Sequence, residues 1–139
     1  MKKINYFFEK TPDIKRKLPA KKWIEECVKK ENKKIIKIDF IFCSDAFLKK
    51  INNKHLNHNT FTDVISLDYS TQGNIVGDVF ISVERVTDNA QKFKTTFKEE
   101  IARVMIHGVL HLVGYKDKLL SEKKIMRDKE NNYLERNNT

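Results

Sequence analysis

A chain of 139 residues suits one domain around one continuous core. With 4 Gly, 2 Pro and 34% charged residues it excludes a long flexible linker, a low-complexity tract and an apolar run long enough to cross a membrane. Lys and Arg number 28 against 19 Asp and Glu, so the formal net charge of +9 fits either a polyanionic partner, above all nucleic acid, or a merely lysine-rich soluble surface.

In chain order, KINYFFE (3–9) reads as a first strand, rich in aromatic and β-branched residues. The opening MKKINYFFEK breaks its apolar run at Asn5 and Glu9, too short and polar for a signal peptide, which points to the cytoplasm. From Pro19, PAKKWIEECVKK spaces Trp23, Ile24, Cys27 and Val28 as one helix face. IIKIDFIFC (35–43) is strongly β-prone. Cys27 and Cys43 form no CxxC pair and sit in apolar settings, which predicts buried thiols in a reducing compartment. Ser44 is placed to cap a short helix carrying Phe47, Leu48 and Ile51. DVISLDY (63–69) and IVGDVFIS (75–82) flank the turn STQGN and read as an antiparallel hairpin. Ser82 can cap a helix to about Phe93, and Thr96-Phe97-Lys98-Glu99 matches a capping box. The helix it opens carries Phe97, Ile101, Val104, Met105, Val109 and Leu112, and Gly114 is placed to end it. Ser121 can begin a last charged helix to about Glu135. Strands and helices mix without strict alternation, so the expected fold class is α/β (α+β): a single compact domain over 1–139, its small mixed sheet packed with helices and its metal-binding helix near the C-terminus.

The stretch HGVLHLVGYKDK (107–118) runs over the end of that helix. His107 and His111 stand one turn apart on one face, where two neutral imidazoles can address one ion. Such a pair is also a common accident of packing. Gly114 can adopt the left-handed backbone that returns the chain and brings Asp117 towards the histidines. Three protein ligands plus a water is the pattern of a catalytic rather than a closed structural zinc site. Asp117, between Lys116 and Lys118, is otherwise a solvated surface acid. A metalloprotease would need a glutamate after the first histidine as general base, and that position is Gly108.

HGVLHLVGY resembles the signature H-G-x-L-H-L-x-G-Y of the YbeY family, bacterial single-strand-specific endoribonucleases involved in ribosomal RNA maturation. TDVISL (62–67) is similar to the family's T-D-V-L-S-F and GDVFIS (77–82) to its G-D-I-x-I-S, and Glu100 falls where the family has a glutamate ahead of the first histidine. Order and spacing agree across roughly residues 35–130. The resemblance implies a zinc-dependent hydrolase (another divalent metal is an option) acting on single-stranded RNA through a metal-bound water. His107 and His111 match two metal ligands, and Asp117 stands where the family has a third histidine. A second departure is Leu56, at the place of a family arginine thought to contact phosphate. Lys54, His55 and His58 are candidate substrate-binding replacements, or an ordinary polar loop. Asp63 and Asp78 read as acids that cap or orient turns, rather than general bases. Glu100 and Arg103, on the histidine side of the helix, orient an imidazole or form a surface ion pair. The implied partners are ribosomal RNA, the small ribosomal subunit and its assembly proteins, with no membrane. The alternative is a non-catalytic RNA-binding ribosome-assembly factor whose metal is structural.

Overall fold

The β-branched and aromatic runs pair into one sheet. In the computed structural model, which describes residues 3–56 and 62–137, strands β1 (Ile4–Phe8), β2 (Lys34–Cys43), β3 (Val64–Asp68) and β4 (Asn74–Ser82) lie in the order β1-β2-β4-β3. The pairs β1–β2 and β2–β4 are parallel, whereas β3 runs antiparallel to β4 as the hairpin signal predicted. Among the described residues five α-helices complete the mixed α+β architecture: α1 (Lys21–Lys30), α2 (Asp45–Leu56), α3 (Val83–Lys92), α4 (Phe97–Val113) and α5 (Leu120–Glu135).

Local side chains set most helix starts. Ser44, Ser82 and Thr96 each accept a hydrogen bond from the backbone N–H three residues on, all at 3.1 Å. Two starts differ from the sequence reading. Pro19 stays outside α1, where Ala20 is the capping residue. Helix α5 begins before Ser121, because the Glu122 carboxylate accepts the N–H groups of Lys118 (3.1 Å) and Leu119 (2.9 Å).

Helix α4 is apolar almost all round and buries Ile101, Val104, Met105, Ile106, Val109, Leu110 and Leu112, so it runs through the core rather than over it. It approaches the sheet closely at Gly108. A Cβ there would lie 2.6 Å from Val79 Cγ1, 3.2 Å from Ser66 Oγ and 3.3 Å from Val64 Cγ2. Ser66 Oγ donates to the Gly108 carbonyl at 2.9 Å, which fixes the helix against β3. The predicted face of α1, with Trp23, Ile24, Cys27 and Val28, joins this main core. On the other face of the sheet α2 covers a smaller cluster of Cys43, Leu48 and Ile65. Both cysteines are free and buried, and burial pushes each thiol up to about 12. Among the described residues no helix is long and apolar enough to cross a membrane.

Candidate metal centre

One helical turn sets His111 above His107, and Gly114 ends α4 with φ +123° while donating to the carbonyls of Leu110 and His111 at 3.1 Å each. Glycine adopts this backbone without strain. The reversal carries Asp117 back over the helix end. Three atoms then converge: His107 Nε2 and His111 Nε2 are 3.1 Å apart, and Asp117 Oδ2 is 3.1 Å from each.

The far ring nitrogens decide what those atoms present. His111 Nδ1 lies 3.0 Å from the Tyr115 carbonyl, which only accepts, so Nδ1 carries a proton and the tautomer this selects turns the Nε2 lone pair forward. His107 Nδ1 lies 2.6 Å from Glu130 Oε2, a carboxylate that imposes the same polarity. With the Asp117 carboxylate, three acceptors face one another and repel unless a positive charge sits among them. Tetrahedral ligation at about 2.0–2.1 Å asks for ligand separations of roughly 3.3–3.4 Å, close to those found. The group can therefore hold a metal ion.

The surrounding charges express the same demand. Burial disfavours a charged His107, yet the hydrogen bond and charge of Glu130, aided by Asp117 and Asp63, lift its pKa above the usual imidazole value. Burial alone would raise Glu130, but the hydrogen bond and charge of His107, then Arg103, hold its carboxyl below the ordinary range. Arg103 NH1 donates to Glu130 Oε1 at 3.0 Å and NH2 to Asn131 Oδ1 at 2.9 Å, so Arg103 acts on the histidine one step removed. Glu130 is the imidazole-orienting residue that sequence reasoning missed. It lies 23 positions from His107 in a charged helix, and only the packing of α5 on α4 brings it in.

The returning turn is buttressed from the end of α1. Glu31 Oε1 accepts from Tyr115 Oη at 2.6 Å, while Glu31 Oε2 accepts from Lys129 Nζ at 3.0 Å and from Tyr133 Oη. Burial would raise the Glu31 carboxyl, but these donors together lower it.

Two cavities, of about 420 and 730 Å³, open on either side of this group and share Asp63, Val64, His107 and Asp117 as a common wall. Asp63 Oδ2 accepts from Asn89 at 3.1 Å and its carbonyl accepts from the Ser82 N–H at 2.9 Å, an orienting arrangement in which burial raises its pKa. Asp78 faces Asp39 across β2–β4 and lines neither of these cavities. Lys54 is exposed on α2 and is not among the described residues lining them; buried Asn52, which the sequence did not single out, lines the larger. His58, and the side chains of His55 and Leu56, lie outside the described residues.

The family model described as endoribonuclease YbeY matches residues 7–138 of this chain. The endoribonuclease YbeY of Karelsulcia muelleri is 50% identical over 131 residues, covering 94% of this chain and 93% of that protein. That of Christiangramia forsetii is 47% identical over 127 residues, covering 91% and 89%. A Thermotoga maritima protein whose structure was determined in solution matches with a TM-score of 0.64 at 27% identity, over 94% of this chain and 87% of that one.

Proposed function

The chain belongs to the YbeY endoribonuclease family, and on that premise we propose that it is a zinc-dependent endoribonuclease that cleaves single-stranded RNA during maturation of small-subunit ribosomal RNA. His107, His111 and Asp117 are its metal ligands, and the observation that carries this reading is their three lone-pair atoms 3.1 Å apart. The setting is the cytoplasm, with the small ribosomal subunit and its assembly proteins presenting the RNA.

When bound, a divalent ion supplies Lewis-acid polarisation of the scissile phosphodiester and of the attacking water. The chain's own side chains do the rest. Glu130 and the Tyr115 carbonyl lock both imidazoles with Nε2 forward, so no reorganisation is needed when charge develops. The cavities on either side of the group give the strand a path across it. Lys116 on one side and Lys123 on the other are exposed point charges for phosphates, with no base readout of their own. Asp117 in place of a third imidazole lowers the charge of the site by one unit, which holds a cation more firmly and makes it a weaker Lewis acid.

The test is cleavage of an unpaired ribooligonucleotide and its duplex by purified protein before and after chelation. The expected result is preferential cutting of the unpaired strand, lost on chelation and restored by zinc. Zinc and RNA binding with no cleavage would replace this reading with that of an RNA-binding assembly factor whose metal is structural.

A further inference from the structure

The smaller cavity, of about 420 Å³, lies between α3, α4, α5 and the start of β3, within the range of roughly 300–1,000 Å³ typical of small-ligand pockets. Glu100 lines it at 4% exposure, and its carboxylate makes no hydrogen bond or ion pair with any described residue. Thr11 Oγ1 is the only fully buried side-chain polar atom without a partner among the described residues, so the Glu100 oxygens open onto the cavity, where they are free to accept from a ligand. The neighbouring groups are engaged elsewhere: Arg103 with Glu130 and Asn131, Glu130 with His107, Asp63 with Asn89. Among the described residues the only cluster with metal-ligand spacing is His107, His111 and Asp117, so Glu100 does not belong to a second ion site. Burial raises the Glu100 carboxyl, Arg103 and Arg127 lower it and Asp63 and Glu130 raise it again; with two guanidinium groups already nearby, a neutral N–H donor is the complementary ligand.

The other walls give that donor a shape. Phe93 offers a ring that is 56% exposed, and Val64, Val104 and Met126 supply apolar surface. Lys123 and Arg127 are exposed and also line the cavity, on α5, suited to a phosphate. A nucleotide meets all three demands: a planar face for the ring, an N–H edge for the carboxylate and a phosphate for the cations. Of the four RNA bases only guanine sets two N–H donors side by side on its Watson–Crick edge, the complement of the two oxygens of one carboxylate.

We propose that this cavity is a guanine subsite, in which Glu100 accepts from N1–H and the N2 amine while Phe93 stacks on the base. The subsite reads one nucleotide of the strand that crosses the metal centre. It rests on the RNA-cleaving function proposed above, but its test does not use cleavage. The full chain is titrated with GMP, AMP, CMP and UMP while backbone amide shifts are followed by NMR, and RNA cleavage is assayed separately. GMP should bind about tenfold more tightly than the others, as a bidentate pair implies, with shifts at Asn89, Phe93 and Glu100. Glu100→Gln should bring GMP to the level of AMP, and the exposed-site variant Phe93→Ala should weaken all four. Equal affinities, no binding of any of the four, or a guanine preference untouched by Glu100→Gln would overturn the subsite. A guanine preference in a protein that cuts no RNA would sustain the subsite and strike the nuclease reading instead.

Discussion

At the scale of single residues, the candidate site depends on which nitrogen of each imidazole carries a proton. His111 is set by a backbone carbonyl, which no side-chain substitution removes, whereas His107 is set by Glu130 alone at 2.6 Å. Glu130→Gln can offer its amide nitrogen to Nδ1 and turn the proton onto Nε2. Zinc affinity, measured by competition with a chelating dye, should fall about 10- to 100-fold, the usual cost of losing a ligand's orienting partner; an unchanged affinity would mean that Glu130 does not set the tautomer. His107, His111, Gly114 and Asp117 were legible in the sequence because spacing on a helix and a glycine at its end are geometric statements in themselves. Glu130 was not, since a carboxylate in a charged helix has no feature that distinguishes it from its solvated neighbours. Glu100 and Arg103 drew attention through their helix face, yet neither touches an imidazole.

At the scale of elements, two contacts hold the site in place. The first is α4 on the sheet at Gly108. Gly108→Ala would place a methyl group 2.6 Å from Val79 Cγ1 and should cost about 1–3 kcal/mol in denaturant unfolding, as overpacking does. This close contact also gives a second reason why the protease pattern fails here: the sheet leaves no room for a glutamate beside His107. The second contact is the Glu31 cluster joining α1 and α5 to the turn that bears Asp117. Its folded pKa lies below the ordinary 4.5, so the stability it contributes is present above that value and lost as pH falls through the folded pKa. The difference in unfolding midpoint between wild type and Glu31→Gln should therefore be full near neutral pH and shrink below about pH 4.5; a constant difference would refute the linkage. Caps at Ser44, Ser82 and Thr96 could be read from the sequence because they act within one turn. The order β1-β2-β4-β3 could not, because parallel pairing is settled by long-range packing. The start of α5 escaped because Glu122, rather than Ser121, takes up its free amides.

At the scale of the whole molecule, a charge of +9 allowed a polyanionic partner without locating it. The structure adds a cleft made of two cavities with the histidines and Asp117 at their common wall, flanked by Lys116 and Lys123. If one strand spans both, neutralising either lysine to alanine should reduce the slope of log affinity for single-stranded RNA against log salt by about 0.7, and the pair by about twice that. A slope that responds to one lysine alone would confine the strand to one side. The central claim is that the three converging acceptors hold the ion that RNA cleavage requires. Its most direct test is bound zinc per chain and cleavage of an unpaired ribooligonucleotide, measured on the same samples of wild type and His111→Ala. One zinc per chain with cleavage in the wild type, and loss of both in the variant, is the predicted result. A folded wild type that binds no metal, or a variant that cuts RNA as well as the wild type does, would contradict it.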